Sequence, residues 1–437
     1  MTGDQINSLA PAMSCFLESY APAFPTVRSA KHLTHYTLGL LAELNRKSVE
    51  PIAMASGVGV RTLQLFLSHM PWDHAHAQRI LVRQVARDHS SPRAVYVLDD
   101  SAHIKQGRKT PGVQRQYCGE SGKIDNCVNA VHLLYTVPGD HPDDSAIDNP
   151  FACAVASDLF LPESWANDPQ RKQEAHIPEA LGHRPKWRIA LDLLAQTAAE
   201  GLRAGYITFD EEYGKVPRFW EELGALGQWA VGEIPSNFHV WATPPKYQSL
   251  QQPFVAKEVR SLASRSPVFH QQHWRAMHIK NTTRGYEEWR IKHALVQIKD
   301  TQTGRPSERK YHLIVAWRLN GKGRPEGVSG GSETKFFLSN APEGADPLEL
   351  LRAAFRRWQV EKWFMNAKQD AGLGDFEVRT YQGLIRHWLC SRMTMLFLAE
   401  QTMRLRGEKS EDHPGAGGRG IDAASATGHG SAMAIVA

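Results

Sequence analysis

Two short apolar runs, far apart in the chain, both break off at acidic side chains. Ala94-Val95-Tyr96-Val97-Leu98 ends in Asp99-Asp100-Ser101, and Tyr206-Ile207-Thr208-Phe209 ends in Asp210. Runs this short, rich in β-branched and aromatic residues, favour strands over helices. A strand that stops at an acid presents a carboxylate at the edge of a sheet. Neighbouring residues on a strand point to opposite faces, so only one of Asp99 and Asp100 can face any given site.

A third acid lies in a different pattern. In Arg356-Arg357-Trp358-Gln359-Val360-Glu361-Lys362-Trp363-Phe364-Met365-Asn366-Ala367-Lys368, a helix would put Arg357, Glu361 and Lys368 on one face. The start signal predicts one helix from Asp346, with Pro347 at the first helical position and Glu349 at the third. Alone, such a face reads more readily as solvated charges with an i,i+4 pair. The acidic strand ends upstream give it another meaning.

The rest of the chain supplies a frame. Residues 1–90 read as a helical N-terminal domain, with Leu33, Leu38, Leu40, Leu41 and Leu44 as a buried stripe. Within it, residues 48–67 have helix-turn-helix spacing: Ala53, then Gly57 for a left-handed turn, then Leu63 and Phe66. Arg61, Thr62 and Gln64 would then meet DNA; the alternative is an ordinary helical hairpin. A basic, Gly-punctuated segment carrying Lys105, Arg108 and Lys109 reads as phosphate-contacting or as a solvated hairpin. Strands at 128–137 and 152–161 could form an antiparallel meander with the first, across a turn region at 138–150. Helices follow at 187–202 and 219–226, and a strand at 229–234. Residues 236–340 read as a β-rich insertion, with runs at 290–299 and 310–319 and a closing strand at 335–338. Its tryptophans, with Trp241, Trp274, Trp289 and Trp317 in view, suit core packing or stacking on a flipped base. A final amphipathic helix spans 384–405. The domains are therefore 1–90; a catalytic domain of 91–235 and 341–405; the insertion; and a Gly/Ala/Ser-rich disordered tail, 406–437.

Composition excludes several classes. A net charge of +5 permits a polyanionic partner without demanding one. Five scattered cysteines with no CxxC pair argue against a disulfide scaffold or a structural zinc site. There is no signal-peptide pattern and no apolar stretch long enough for a bilayer, so a cytoplasmic protein without membrane association is expected. His103, His132 and His387 read as core or surface residues rather than ligands.

The candidate constellation is Asp100, Asp210 and Glu361. Three acids converging on one sheet edge repel one another unless cations sit between them. All-oxygen ligands suit Mg²⁺, which takes the rest of its shell from water and phosphate. A pair of such ions about 3.5–4 Å apart can activate a nucleophile and stabilise a leaving oxygen at phosphorus. Arg357 and Lys368 would hold neighbouring phosphates.

These residues, in this order, resemble bacterial insertion-sequence transposases of the DDE superfamily, which have a ribonuclease-H-like core. Leu98-Asp99-Asp100-Ser101 is similar to that family's first acidic strand end. Gln116-Tyr117-Cys118-Gly119 and Gly122-Lys123-Ile124-Asp125-Asn126-Cys127 are similar to the stretch after it, and Phe209-Asp210-Glu211-Glu212-Tyr213-Gly214 to the second acid. Arg357-x3-Glu361-x6-Lys368 matches the core of the signature around the third, although Ala354 stands where the family has Tyr. The resemblance implies an α/β fold: a ribonuclease-H-like mixed sheet flanked by helices and interrupted by a β-rich insertion. It implies metal-dependent cleavage at element ends and strand transfer, with two Mg²⁺ (or Mn²⁺) ions, double-stranded DNA as partner, a homodimer on synapsed ends, and a nucleoid-associated bacterial protein. By resemblance Asp100 holds metal and Asp99 supports it, while Arg379 joins Lys105, Arg108, Lys109 and Arg61 among DNA contacts. A structure-directed nuclease without strand transfer, or a catalytically silent DNA-binding regulator, are the alternatives.

Overall fold

The computed structural model describes residues 8–138, 151–242, 255–282, 285–319 and 334–411. The turn expected at 138–150, the Gly-rich 320–331 and the tail beyond 411 lie almost wholly outside them.

The N-terminal region is helical: α1 (Leu9–Glu18), α2 (Val27–Leu41), α3 (Val49–Ala55), α4 (Val60–Ser68) and α5 (His74–His89). A capping box at Thr26 and Ser29 starts α2, each side chain accepting the other's backbone N–H. Gly57 takes φ +66° in the turn from α3 to α4, a conformation that costs a side-chain-bearing residue about 1 kcal/mol. Leu63 and Phe66 are buried under that turn while Arg61 and Gln64 are exposed. These helices share one hydrophobic core with the sheet: Leu40, Phe66 and Leu81 belong to the cluster that holds Tyr96, Leu98 and Leu133.

The central sheet is built from β1 (Val95–Ile104), β2 (Gln114–Cys118), β3 (Lys123–Val137), β4 (Phe151–Leu159) and, after helices α6 (Glu163–Ala166), α7 (Pro169–Glu174) and α8 (Lys186–Ala199), β5 (Tyr206–Thr208). β1 pairs antiparallel with β3, and β3 with β4 and β2, which is the expected meander. The crossover through α8 returns β5 parallel to β1. Next come α9 (Glu211–Gly214), α10 (Pro217–Ala225) and β6 (Val231–Ile234). A parallel bridge from Ile207 to Ala230 carries the sheet on toward β6. This is a mixed, ribonuclease-H-like sheet in which β1 to β4 pair antiparallel through β3 and β5 joins β1 in parallel.

β6 also begins the insertion's own curled sheet, continued by β7 (His239–Trp241), β8 (Lys257–Glu258), β9 (Arg275–Thr282), β10 (Gly285–Ile298), β11 (Tyr311–Leu319) and β12 (Thr334–Ser339). Its strand order is β6-β12-β11-β10-β7-β8, with β9 beside β10. Two short helices, α11 (Val259–Arg265) and α12 (Pro267–His270), also occur here. Trp289 and Trp241 are core residues, 0% and 6% exposed. Trp274 and Trp317 stack on each other at 4.6 Å, with the Lys292 ammonium 4.6 Å from the Trp274 ring centre.

The chain then enters α13 (Pro347–Phe355), α14 (Trp358–Asp370) and α15 (Tyr381–Glu411). The single helix expected from Asp346 is broken. The Arg356 and Arg357 N–H groups bond three residues back, to Ala353 and Ala354, and this tightened turn separates α13 from α14. α15 also departs from expectation. It reaches Glu411, and its first half is enclosed rather than amphipathic, with Arg386, His387, Ser391, Arg392 and Thr394 all buried. Arg386 explains how: its guanidinium donates to the carbonyls of Phe66, Leu67 and Trp72 and lies 4.5 Å from the Trp72 ring centre. It thereby satisfies the end of α4 and pins the N-terminal helices to α15.

The two faces of β1 have different covers. Tyr96 and Leu98 pack in the cluster that contains Ile189 and Ala190 of α8. Val97 packs with Val360 and Trp363 of α14 and with Trp388 of α15.

Candidate active site

The first strand does not stop at its acids as expected: β1 pairs with β3 as far as Ile104, so Asp99 and Asp100 lie mid-strand, and it is the shorter β5 that ends beside them. Val95, Tyr96 and Val97 pair in register with Tyr206, Ile207 and Thr208. Carried two residues on, that register sets Asp210 opposite Asp99. Asp210 leaves the sheet as the N-cap of α9, its carboxylate accepting the Glu212 N–H at 3.0 Å. Gly214 closes this turn against β6, where a Cβ would lie 1.9 Å from the Glu233 carbonyl oxygen.

Alternation along β1 then separates the pair. Asp99 has the parity of Val97 and faces α14; its Oδ2 lies 3.7 Å from the Arg357 guanidinium. Asp100 has the parity of Leu98 and faces α8; its Oδ2 lies 2.7 Å from Lys186 Nζ. The Asp100 N–H donates to Asp99 Oδ1 at 2.8 Å. Arg357 also reaches Glu361 at 3.2 Å, so one guanidinium links an aspartate on the sheet to the helical acid. Glu361 itself is 65% exposed, while Asp99 and Arg357 are each 17% exposed.

The aspartates crowd one another. Burial pushes the Asp99 carboxyl up to about 8, with further upward pressure from Asp210 and Asp100 that Arg357 only partly offsets. Burial, then Asp100, raises Asp210 as well. Tyr213 is buried beside all three, its hydroxyl without a hydrogen-bond partner among the described residues, and its ionisation is pushed upward by burial and then by Asp100. A group of carboxyls forced toward their neutral forms is short of positive charge. Its donors are all oxygen, the chemistry that fits a hard divalent cation. Among the described residues, no three His, Cys, Asp or Glu side chains are gathered tightly enough to hold an ion as they stand.

At the other end of α14 the balance reverses. A cavity of about 810 Å³ is lined by Arg46, Lys105, Arg108, Lys109, Lys368 and Arg379, with Glu120, Asp375 and Glu377 as its acids. Arg108, Lys109 and Arg379 are exposed. Lys368 reaches Glu120 at 3.0 Å and the Ala102 carbonyl at 3.5 Å. Lys105 serves as a strut: its ammonium donates to the carbonyls of Gly374 and Phe376 at 2.8 Å each and sits 3.5 Å from the Phe376 ring centre. Burial brings its ionisation down to about 8.

The site thus joins Asp99, Asp100, Asp210 and Arg357, with Glu361 attached through Arg357. Lys368 and the loop cations stand at the neighbouring cavity, and Arg61 stands on α4. The histidines considered as ligands are internal: His387 contacts the Tyr36 hydroxyl at 2.8 Å, His132 that of Ser157 at 2.7 Å, and His103 that of Ser101 at 2.9 Å. Sequence reasoning missed Lys186 and Tyr213. Lys186 is the first residue of a helix after a Pro-punctuated stretch, and no periodicity there links it to Asp100.

Over residues 19–290 the chain matches the profile of a family described as DDE superfamily endonuclease. It is 30% identical over 247 residues to a protein described as a probable transposase for insertion sequence element IS701, from Microchaete diplosiphon. That alignment covers 55% of this chain and 59% of the relative, so the chain spans under two thirds of its relative's length. The profile match includes Asp99, Asp100 and Asp210 and stops before Arg357 and Glu361.

Proposed function

The chain belongs to the DDE superfamily of endonucleases, and from that premise we propose that it is a transposase that cuts DNA at the ends of an insertion sequence and joins them to a target. The observation that carries this reading is the crowded pair of Asp99, within β1, and Asp210, just past the end of the parallel β5, with Arg357 and Glu361 alongside. Asp99, Asp210 and Glu361 are the residues that would hold Mg²⁺ or Mn²⁺, two ions being expected. Resemblance alone favoured Asp100 as the first ligand; the shared face of Asp99 and α14, and the engagement of Asp100 by Lys186, support Asp99 instead. When bound, such ions lower the cost of ionising the attacking hydroxyl and stabilise the departing oxygen.

The chain's own residues then divide the remaining work. Asp99 and Asp210, whose carboxyls burial holds above the ordinary range, would hold the ion through their oxygens. Arg357, released from Asp99 and Glu361, offers its fork to a phosphate beside the scissile one. Lys368 and the exposed Arg108, Lys109 and Arg379 hold the adjoining backbone in the basic cavity. Lys105 shapes that cavity from beneath. Arg61 and Gln64, exposed on the second helix of the α3–α4 hairpin, are suited to reading duplex DNA. Two synapsed ends imply a dimer during the reaction.

The test is cleavage of a duplex carrying the element's ends. It should require Mg²⁺ or Mn²⁺ and vanish in Asp210→Ala and Glu361→Gln; wild-type rates in either variant would refute the assignment. Joining of the cut 3′ end to a plasmid separates transposition from cleavage alone.

A further inference from the structure

The proposed reaction leaves one charge pair without a task. Lys186 Nζ and Asp100 Oδ2 lie 2.7 Å apart, with 30% and 20% of their side chains exposed. The pair is held firmly from both ends. Lys186 is the first residue of α8, and the preceding Arg184 binds that helix start to β4 through Asp158 at 2.6 Å and to α8 itself through Asp192 at 2.7 Å. The Lys186 ammonium also lies 5.8 Å from the Phe160 ring centre. Asp100 sits mid-strand on β1 opposite Val131, and its N–H holds Asp99 Oδ1. An unbroken path therefore runs from ammonium to carboxylate, through one peptide group, to the carboxylate of Asp99.

The charge arithmetic gives this path a purpose. Three aspartates repel one another here, yet strand alternation sends Asp100 to the α8 face and Asp99 to the α14 face. A cation gathered on the α14 face can compensate Asp99 and Asp210 directly. Asp100 lies close enough to press on both, yet its carboxylate is turned to Lys186. A mostly buried carboxylate left without a partner is costly.

We propose that Lys186 is a positioning residue: by holding and charge-compensating Asp100 on the α8 face it fixes the β1 segment so that Asp99, gripped by the Asp100 N–H, faces a divalent cation together with Asp210. This rests on the ligand assignment made above. It makes Asp100 a charge-paired support whose negative charge matters only together with that of Lys186.

Charge rescue tests it. Binding of Mn²⁺ to the full-length, DNA-free protein is measured by calorimetry. Asp100→Asn alone leaves the ammonium unopposed beside the cluster and should weaken binding about tenfold. Asp100→Asn combined with Lys186→Met removes both charges and should return the affinity to within about threefold of wild type. Loss of Mn²⁺ binding in the double variant, to the level of Asp99→Asn, would make Asp100 itself a ligand and overturn the proposal. Should the double variant not fold, wild-type protein answers the question through reductive methylation of lysines, read by mass spectrometry with and without Ca²⁺. Unchanged labelling of Lys186 upholds the pairing; a several-fold rise means that metal takes Asp100 from Lys186 and sinks it. The two levels of inference fail differently. If Asp99→Asn binds Mn²⁺ like wild type, the ligand assignment is wrong; if only the rescue fails, the role of Lys186 is wrong.

Discussion

The two ends of α14 solve opposite electrostatic problems. At its start, buried carboxyls outnumber the cations beside them, and Asp99 is driven up to about 8. At its end, Lys368 opens onto a cavity in which six cations face three acids. The first end lacks positive charge and the second lacks negative charge. A phosphodiester accompanied by a divalent cation supplies both at once. The difference also shows that cation count alone does not mark a DNA contact: Arg357 and Lys186 pair with acids and Lys105 with carbonyls, while Arg108, Lys109 and Arg379 stand exposed.

The comparison can be broken most forcefully at the acidic end. Asp99→Asn and Asp210→Ala should each lower metal-dependent cleavage by about a thousandfold or more, measured on an end-labelled duplex. Binding of that duplex in EDTA should change little, because the basic end is untouched. Equal loss of both would mean that the two ends do not have separate tasks.

Proton linkage gives the next largest effect. The folded Asp99 carboxyl titrates at about 8, against roughly 3.9 in an unfolded chain. Across that window the folded state retains a proton that the unfolded state has lost, so metal-free stability should fall as pH rises from about 4 to about 8. Below the window both states are protonated and the contribution is flat. Urea titrations of Asp99→Asn should show a shallower decline, with a difference on the order of 1–3 kcal/mol after allowance for residual solvent. Added Mg²⁺ should oppose the decline, since it binds the ionised form.

At the basic end, Lys105→Met should be felt in stability rather than chemistry. It strips two carbonyls of their donor and should cost roughly 2 kcal/mol, read as a lowered melting temperature. Mn²⁺ affinity at the acidic end should hold. The smallest effect is expected at the helical hairpin. Arg61→Ala should weaken duplex binding a few-fold and reduce the slope of log affinity against log salt by about one. An unchanged slope would assign the hairpin to packing alone.

Much of the frame was legible before any coordinates. Strand-length apolar runs, the Gly57 turn and the helical periodicity at 187–202 are local signals, set by side-chain period and backbone sterics within a few residues. Acid following an apolar run is a local signal too, which is why Asp99, Asp100 and Asp210 could be singled out; only Asp210 proved to end its strand, because pairing with β3 carries β1 on to Ile104. The break between α13 and α14 escaped notice because its cause is a tightened turn with no Pro or Gly to announce it. The enclosed face of α15 escaped for a related reason: Arg386 reads as a surface residue until the carbonyls of Phe66, Leu67 and Trp72 stand around it.

What the chain alone determined, then, was which apolar runs form strands and that Asp99 and Asp100 must part company. Which of the two faces α14 was decided only in three dimensions. Strand alternation fixes relative direction, while the absolute side depends on where α8 and α14 pack, and those helices lie far along the chain. Lys186 meets Asp100 for the same reason: a crossover of dozens of residues brings them together, and no local period records it.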